Sequence, residues 1–574
     1  GSSSVKGQIW GNAIQTVGSN NAVHCDLISD GGYFDADQTV YNTVFMRSGT
    51  HTIGGTRTWS TTPLIVGGTT NFNATNTWGD ITVATGGTFD GNDEIINCGG
   101  DFTTSGGLLG ASCLTLNGSD EYASNSGTTW GIGDTWTIEM WFKTSTDSLM
   151  YLFDLHNDSS NVNRIYIRCR SSDDQIRFGT YDSADDHDGM ETTGIDCNDG
   201  KWHHLAVTSS GTVKQIYFDG KLNASKTVTV DRAADPTMDL RLGRLHTSAS
   251  DFFNGSIDEV RMFSDVRTEA EIRADMFQGG TLANSGNLVA RYSFDEGSGQ
   301  DVDNSEGTGA RDLTTYDGSG AATDLWASAG TFTYGTSTLV MSGSGKKIYY
   351  LDNEEIRHLT CSGSITLDGV GQTAADLKIN GNVNISGSLA SQDDEKLFCQ
   401  GGSITFAVGT AATSIANLTK LIIANPTTVT LPALTTERIQ TDSGGTTTAG
   451  GDITVTAELE INSGGTFNAN GNTITTHAVD GNGSGTLDLS NSTLSLSLAS
   501  GYTMILDSAF NLTTGNTTII GRSSTEHANC TLPSAGDFEV VGDVKWLKIL
   551  SDSDLTVIGA VIDCSLADST ANIR

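Results

Sequence analysis

Short runs in which apolar and polar residues alternate recur along most of the chain. Clear examples are Ile453-Thr454-Val455 and the segments 377–385 and 487–498, in which Leu, Ile or Val occupies alternate positions of each short run. A period of two predicts β-strands with one buried face, and the Gly, Asn, Ser and Thr residues between the runs predict tight turns. The chain is therefore predicted to be all-β.

Two short sequence patterns occur on both sides of the middle of the chain. Gly-Asp-Ile-Thr-Val is found at 79–83 and 451–455, and Gly-Thr-Phe at 87–89, 330–332 and 465–467. A single strand of this kind cannot bury its apolar side, whereas stacked coils bury a continuous narrow core. We therefore predict β-solenoid or β-helix repeats in residues 1–106 and 328–574. A string of small β-sandwiches is the alternative, because the repeat spacing is irregular and Asn-Gly hairpin signals occur.

The middle of the chain has longer alternating strands rich in aromatic residues. The segments 116–122, 136–142, 199–208, 216–222 and 253–263 together resemble a laminin G-like domain of the concanavalin A-like lectin superfamily. The resemblance implies a β-sandwich of the jelly-roll type over residues 107–327. It also implies a binding scaffold more often than a catalyst. The predicted fold class is thus a concanavalin A-like sandwich inserted between two solenoid segments.

Two features near the end of this middle segment are specific predictions. Thr268-Glu269-Ala270-Glu271 is a capping box, so a short helix is predicted over 268–277, with Ile272 and Met276 on one face. The run Leu288–Gly299 resembles a strand that commonly opens domains of this family. Too few residues follow it for a second sandwich, so it is predicted to close the first one as a late edge strand.

The charge balance limits the classes of partner. The chain has 31 basic and 68 acidic residues, a net charge of −37. Nucleic acid and anionic membranes both need a cationic surface, so neither is an expected partner. No apolar run is long enough to span a bilayer, so membrane insertion is not expected. A solvated acidic surface and a capacity for divalent cations are both compatible with this composition.

The nine cysteines do not indicate a metal or redox site. None of them forms a Cys-x-x-Cys pair, and their odd number leaves at least one thiol unpaired within the chain. Buried cysteines that act as small apolar residues are the default expectation. A bridge between Cys169 and Cys197 is the alternative that stays open within the lectin-like segment.

The resemblance implies a structural calcium ion in the sandwich. In related domains an ion often ties an early loop to a late strand. The matching positions in this chain are Asn117, Asp120, Glu121 and Asp258. Calcium prefers six to eight oxygen ligands, which such side chains and nearby carbonyls supply. The alternative is that these residues only cap turns.

Ligand-binding residues are predicted on the rim of the sandwich. The acidic run 182–189 lacks the spacing of an EF-hand loop, so a solvated loop is the alternative to a binding loop at Asp185 and Asp186. Aromatic residues in loops can stack on sugars, and the candidates are Trp130, Tyr181, Phe252 and Phe253.

No catalytic residue is predicted. Retaining glycosidases need two carboxyl groups about 5 Å apart, but Glu139 stands alone on its strand, and Asp258 and Glu259 are expected on opposite faces. His203 and His204 are adjacent, so one packed and one exposed ring is expected rather than a metal pair. The sequence also lacks a nucleophile elbow, a phosphate-binding loop and a zinc-protease motif.

These observations lead to one functional hypothesis and two alternatives. The chain is predicted to be a non-enzymatic structural or adhesion protein on a virion or cell surface. Its lectin-like module would bind a glycan or a protein partner, within a homo-oligomer or larger assembly. The first alternative is a purely architectural protein. The second is a polysaccharide-degrading enzyme on the solenoid, although Arg438, Lys545 and Lys548 form no evident cluster with acidic residues.

Overall fold

The computed structural model describes most of the chain, and the bounds below refer to that part. The described residues are 6–11, 24–30, 32–34, 43–54, 57–59, 62–92, 94–157, 160–171, 173–228, 237–246, 250–306, 309–322, 325–326, 330–372, 374–401, 403–408, 415–424, 427–496, 503–506, 510–513, 517–521, 528–532, 538–541, 544–549, 554–558, 561–566 and 572–573.

The outer segments form a parallel β-solenoid whose strands stack into four sheets. Sheet S1 contains Lys6–Gly11, His24–Ser29, Val44–Met46, Leu64–Val66, Ile81–Ala84, Phe102–Gly106, Ser344–Tyr350, Ser364–Gly369 and Ser388–Ser391. Sheet S2 contains Gly32–Phe34, Thr50–Ile53, Thr69–Phe72, Thr88–Asp90 and Thr331–Thr333.

The other two sheets complete the coils. Sheet S3 contains Arg57–Trp59, Asn76–Trp78, Ile95–Cys98, Thr338–Met341, His358–Cys361, Val383–Ile385, Ser403–Val408, Thr428–Leu431, Thr446–Ala449, Thr466–Asn468, Thr486–Asp488 and Asn511–Thr513. Sheet S4 contains Glu354–Ile356, Asp376–Ile379, Lys396–Cys399, Lys420–Ile423, Leu434–Thr441, Ile453–Ile461, Thr473–Gly481, Thr493–Leu496, Thr503–Leu506, Thr517–Gly521, Ala528–Leu532, Phe538–Val541, Val544–Ile549, Asp554–Ile558, Val561–Leu566 and Asn572–Ile573.

Strand pairing continues directly across the middle segment. Phe89 pairs with Phe332 and Phe102 with Ile348, both in parallel register. The chain therefore leaves the solenoid after one coil and resumes it on the next. The predicted fold class is confirmed, and the alternative of a string of small sandwiches is wrong. The domain limit at 106–107 stays a prediction, and the limit at 327–328 lies outside the described residues.

The repeated Gly-Thr-Phe pattern has a packing reason. Phe89 and Phe332 point into the solenoid core with their ring centres 5.4 Å apart. A Cβ atom at Gly87 or Gly330 would collide with the carbonyl oxygen of Val66 or Val83 on the neighbouring coil. Glycine is therefore required where the coil turns tightly, and an apolar residue is required two positions later.

The middle segment is a sandwich of two antiparallel sheets, and its elements are numbered here in chain order. They are β1 Leu114–Asn117, β2 Tyr122–Thr128, β3 Thr135–Lys143, β4 Met150–Asn157, β5 Ser160–Cys169, β6 Ile176–Tyr181, β7 His187–Glu191, β8 Trp202–Ser210, β9 Val213–Phe218, β10 Lys221–Thr227, β11 Met238–Leu242, β12 Asn254–Phe263, α1 Glu269–Asp275, β13 Leu288–Tyr292, β14 Asp301–Val302, β15 Leu313–Asp317 and β16 Gly320–Ala321. A 3₁₀ turn spans Gly309–Arg311.

The two sheets of the sandwich are called here the docked sheet and the outer sheet. The docked sheet has the order β1-β12-β3-β8-β9-β10, with β13 also paired to β12. The outer sheet has the order β7-β6-β5-β4-β11-β2-β15-β14, with β16 paired to β15. Their inner faces enclose a core of aliphatic and aromatic residues that is separate from the solenoid core.

The predicted helix and closing strand are both confirmed. Helix α1 begins after Thr268, whose side chain accepts from the Glu271 amide while the Glu271 side chain accepts from the Thr268 amide. Strand β13 pairs antiparallel with β12, so it closes the sandwich as predicted. No helix in the described part of the chain is long and apolar enough to cross a membrane.

The described cysteines are buried free thiols, as the default expectation had it. They are Cys98, Cys113, Cys169, Cys197, Cys361 and Cys399. Cys169 and Cys197 lie in hydrogen-bonding contact but form no disulfide, so the open alternative of a bridge between them is not realised. The side chains of Cys25, Cys530 and Cys564 lie outside the described residues.

Candidate functional site

The outward face of the docked sheet is covered by the solenoid and by helix α1. Phe45 of sheet S1 packs edge-on against Trp141 of β3, with ring centres 5.8 Å apart, in one apolar cluster that also contains Trp202 and Phe277. Ile272 of the helix packs with Ala206 and Tyr217 on the same face. This face is therefore a buried interface and cannot receive a large ligand.

A buried polar network reinforces the same interface. Arg47 of the solenoid donates to Asp219 of the sandwich at 3.0 Å and also pairs with Asp30. His203 lies between Asp219, at 2.9 Å, and Asp199, at 3.1 Å. The expectation of one exposed ring at 203–204 is wrong, because both histidines lie under the solenoid and the helix and are at most 3% exposed.

The charge of His203 makes docking dependent on pH. Burial alone would lower the pKa of His203, but the Asp219 carboxylate and the hydrogen bond to Asp199 raise it to about 9. Because the folded-state pKa lies above the ordinary value of about 6.5, protonated His203 stabilises the interface fully at a pH below 6.5. It is lost as the pH rises through the folded-state pKa.

We therefore expect the interface to weaken as the pH rises from about 6.5 to about 9. Burial also raises the pKa of Asp295 to about 6 and that of Glu296 to about 7, so the contribution of His203 is isolated by comparing a His203 variant with the wild type. Denaturant unfolding followed by tryptophan fluorescence measures the effect. His203→Gln should be less stable than the wild type at pH 8 and show a flatter pH dependence. An unchanged slope in this variant would contradict the assignment.

A β-bulge overturns the expectation that Asp258 and Glu259 lie on opposite faces. Glu139 pairs with Arg261 but Trp141 pairs with Asp258, so β12 carries one extra residue there, and Glu259 has a positive φ of 50°. Both carboxylates consequently lie outside the sandwich core. They do not form an accessible acid–base pair, because both are buried and Glu259 is paired with arginine.

Glu139 is also unsuited to surface catalysis. It is fully buried beneath helix α1, and its carboxylate lies 3.2 Å from the Arg267 guanidinium. Burial raises the pKa of Glu139 in spite of the nearby Arg267 and Arg261. None of these three carboxylates is therefore accessible to a substrate at the surface.

The four residues predicted to share a calcium ion are not brought together. Asn117, Asp120 and Glu121 lie in the exposed β1–β2 turn, where Glu121 accepts from the Asn117 amide at 2.7 Å. Asp258 is fully buried and accepts from the Leu108 amide at 2.9 Å. Asn117 pairs with Asn254, four residues from Asp258, which is about 13 Å along a strand. A single site with all four ligands does not fit this geometry.

Calcium at the exposed turn stays a prediction with a direct test. Asn117 and Asp120 already bond each other, and the Asn117 side-chain oxygen accepts two amides of the same turn. If calcium binds there, the melting temperature should rise in millimolar calcium relative to a chelator. Asp120→Asn should remove that rise, and Asp90→Asn in the solenoid should not. An equal rise in both variants would place the ion elsewhere.

The outward face of the outer sheet carries tyrosine and arginine side chains. Ile165 and Ile167 point into the sandwich core, so their neighbours Arg164, Tyr166 and Arg168 point outward. We call this surface the tyrosine–arginine face. It consists of Tyr122, Tyr151, Arg164, Tyr166, Arg168, Arg177, Tyr181, Arg241 and Arg244.

Strand register arranges this face in transverse rows. The first row runs through Glu191, Arg177, Arg168 and Tyr151. The second row runs through Gly189, Gly179, Tyr166, Asp154, Arg241 and Ser124. The third row places His187 beside Tyr181 and His156 beside Asp239. Each row crosses several strands and contains side chains that are far apart in the sequence.

Tyr166 lies flat on the sheet because its neighbour across the strands is a glycine. A Cβ atom at Gly179 would come within 2.5 Å of the Tyr166 hydroxyl. The hydroxyl also contacts His187 Nε2 at 2.8 Å and accepts from Arg177 Nε at 3.1 Å. This arrangement fixes the ring with its hydroxyl satisfied, and because Tyr166 is only 3% exposed it supports the rings around it from below.

The centre of the face is anchored by a buried carboxylate. Asp154 is fully buried, accepts from Arg164 Nε at 2.7 Å and contacts the His246 ring at 2.9 Å. Burial opposes ionisation, but His246 and Arg164 lower the pKa of Asp154 below its usual value. Asp154, His156 and His246 are close enough to share a metal ion. The Arg164 guanidinium beside the carboxylate opposes a cation there, so this cluster fits a structural anchor better.

The structure separates the predicted ligand residues. Tyr181 lies on the tyrosine–arginine face, and Asp185 and Asp186 are exposed in the β6–β7 turn at its rim. Phe252 lies beside Tyr122 and is only 8% exposed. Phe253 is fully buried in the sandwich core, so its prediction as an exposed platform is wrong. The side chains of Phe252 and Phe253 point to opposite sides of the chain, and that of Phe253 points into the sandwich core.

Trp130 is not the loop residue that was predicted, and several residues of the tyrosine–arginine face were not predicted. Trp130 is fully buried and donates to the Met238 carbonyl at 3.2 Å, so it is not a loop platform. The arginines of β5 and β6 and Tyr151 and Tyr166 were missed by sequence reasoning. The signal was present in Arg164-Ile165-Tyr166-Ile167-Arg168, where every outward position is arginine or tyrosine instead of Ser or Thr.

Several solved structures are similar to part of the chain. A candidate carbohydrate-binding protein of Bacteroides ovatus is 18% identical over 37% of this chain and 59% of its own, with a TM-score of 0.29. The CBM40 of a Ruminococcus gnavus IT-sialidase, bound to α2,3 sialyllactose, is 12% identical over 28% of this chain and 95% of its own, with a TM-score of 0.23. Mouse laminin α1 domains LG4–5 are 18% identical over 27% of this chain and 42% of their own, with a TM-score of 0.23.

The first of these matches spans about three fifths of the other chain. No curated protein sequence matches this chain significantly. The family assignment of the sandwich therefore rests on its strands and on a family model. Residues 117–273 match the model of the concanavalin A-like lectin/glucanases superfamily.

Proposed function

We propose that this protein is a non-enzymatic structural or adhesion protein of a virion or cell surface, whose sandwich binds glycan. The solenoid serves as a rigid mount and the tyrosine–arginine face as the binding surface. The observation that carries the proposal is that the other face of the sandwich is buried under Phe45 and helix α1. A ligand that needs a broad sheet surface has only the outer sheet to bind.

The character of the free face supports a sugar ligand. Tyrosine rings offer flat apolar surfaces with a polar edge, which suits the alternating apolar and hydroxylated sides of a sugar. Tyr122 and Tyr316 stack with ring centres 5.1 Å apart at one end of the face, and Tyr181 and His187 lie 4.7 Å apart at the other. These rings are half-buried or exposed and are not part of the sandwich core.

We expect the double variant Tyr122→Ala, Tyr181→Ala to bind glycan about five- to a hundredfold more weakly than the wild type. Each aromatic contact contributes about 0.5–1.5 kcal/mol, and 1.4 kcal/mol corresponds to a factor of ten. A glycan array followed by calorimetry on the best hit measures the loss. Tyr334→Ala removes a half-buried tyrosine of the solenoid and should leave binding unchanged.

Two other outcomes distinguish the alternatives. If no glycan binds the wild type and the outer sheet is buried against neighbouring copies in the natural assembly, the protein is purely architectural. If soluble sugar is released from a polysaccharide, the solenoid is an enzyme. Arg438 is exposed, lies 4.0 Å from Glu437 and pairs in strand register with Glu458, while the side chains of Lys545 and Lys548 lie outside the described residues. Calcium and homo-oligomer formation stay part of the proposal.

A further inference from the structure

The tyrosine–arginine face has arginines that its own carboxylates do not neutralise. We infer that its ligand is an acidic saccharide, a sugar chain bearing carboxylate or sulfate groups, and that Arg168 and Arg244 bind the anionic groups. This inference rests on the proposed function, because it names the class of glycan for the same surface.

Two arginines of the face are already paired. Arg164 forms an ion pair with Asp154 at 2.7 Å, and Arg177 lies 3.3 Å from Glu191. Both carboxylates belong to the rows of the face, so these pairs are internal to it. Glu191 also pairs with Arg170 and Asp154 also bonds His246, so both carboxylates are fully engaged in holding the sheet surface.

Arg168 and Arg244 are different. Among the described residues neither has a carboxylate within ion-pair distance, and the Nε atom of each is buried without a hydrogen-bond partner. Arg168 Nη1 donates to the Tyr151 hydroxyl at 3.0 Å. The Arg244 guanidinium lies over the Tyr122 ring at 4.6 Å and over Phe252 at 5.4 Å.

Both arginines are half-buried, and a buried Nε–H without an acceptor is costly. Arginine presents a planar fork that binds a carboxylate or sulfate through two parallel hydrogen bonds. Stacking on aromatic rings holds such a fork in place while its edge stays available. Arg168 and Arg244 combine both features, whereas an arginine placed only for solubility would be fully exposed.

The two arginines lie on either side of one aromatic ring. Arg168 is on β5, Tyr151 on β4, and Arg244 lies two residues beyond the end of β11, the next strand in the sheet. Neighbouring strands are about 4.8 Å apart, so the two backbones lie about 10 Å from each other. A single anionic group cannot reach both at contact distance. The face therefore suits a chain with two anionic groups, with a sugar ring between them.

The net charge of −37 does not prevent this binding. Charges separated by more than the Debye length of about 8 Å at physiological salt are largely screened. An arginine in contact with the anion acts at about 3 Å, whereas the exposed carboxylates of Asp185 and Asp186 at the rim of the face are weakened by solvent and salt. We expect high salt to weaken binding, since the contacts themselves are partly exposed to solvent.

The test is a glycan array that carries sialylated, uronic-acid and sulfated glycans beside their neutral parents, probed with the full chain. Binding should be confined to the acidic members, and carboxylated and sulfated hits identify the source of the anion. Arg168→Gln and Arg244→Gln should each reduce affinity for the best acidic hit about tenfold or more, because a hydrogen bond to a charged group contributes about 1.5–3 kcal/mol. Arg438→Gln removes the same charge from the solenoid and should have no effect.

Arg168→Lys keeps the charge but removes the planar fork, and it guards against a folding defect. It should melt near the wild-type temperature and recover only part of the affinity. Equal binding of neutral parents, with no effect of either glutamine variant, would overturn this inference while leaving glycan binding through the face intact. Absence of binding to every glycan would overturn the proposed function as well.

Discussion

Phe332→Ala should destabilise the solenoid by about 3–5 kcal/mol and do so on both sides of the insertion. Its ring lies 5.4 Å from Phe89 on the coil before the sandwich and 5.5 Å from Phe102. In a solenoid each coil is stabilised mainly by its neighbours, so a cavity here loosens coils that lie more than 200 residues away in the sequence. Amide hydrogen exchange measures this locally.

The exchange pattern separates coupling from general damage. Amides of Thr88–Asp90 and Thr331–Thr333 should both lose protection, while the solenoid coils beyond Thr446 should change little. Ile95→Ala provides the control, since Ile95 is a solenoid side chain that is 45% exposed. Loss of protection only after residue 330 would mean that the two solenoid segments do not form one stack.

Trp141→Ala should detach the sandwich from the solenoid at a cost of about 3–5 kcal/mol. Trp141 is 1% exposed, packs against Phe45 and Phe277, and donates its ring N–H to the Met276 carbonyl at 2.7 Å. The variant loses the apolar contact to the solenoid and leaves a carbonyl without its donor. Limited proteolysis should then cut near residues 107–112 faster than in the wild type.

The matched control is Trp326→Ala. Trp326 packs against the sandwich core and is not part of the apolar docking cluster around Trp141, and its ring N–H donates to the Gly299 carbonyl at 3.0 Å. It should reduce sandwich stability modestly and leave the rate of cleavage at 107–112 unchanged. Equal cleavage in both variants would show that Trp141 stabilises only the sandwich and not its docking.

The solenoid was predictable because its signals are local. Each coil needs glycine where backbones approach closely and an apolar residue that points inward, and both requirements appear in the Gly-Thr-Phe and Gly-Asp-Ile-Thr-Val patterns. The capping box at Thr268 is local in the same sense. The sequence therefore predicted the coil turns, the inward-pointing residues and the helix start, because each depends on only a few consecutive residues.

The binding face was not predictable in the same way because strand register assembles it. Arg168, Arg177 and Glu191 become neighbours only through three paired strands. The error at Asp258 has a similar cause, because the extra residue at Glu259 shifts the alternation and depends on the partner strand β3. His203 is buried because the solenoid packs over it, and the sequence of the sandwich alone does not predict that contact.

The central claim is that the sandwich is docked through one sheet and leaves the tyrosine–arginine face free. Hydroxyl-radical footprinting of the full chain, with labelled residues identified by mass spectrometry, tests this most directly. We predict labelling at Tyr122 and Tyr181 and protection of Trp141 and Trp202, with glycan reducing only the tyrosine signals. Strong labelling of Trp141 and Trp202 together with protected Tyr122 and Tyr181 would contradict the account.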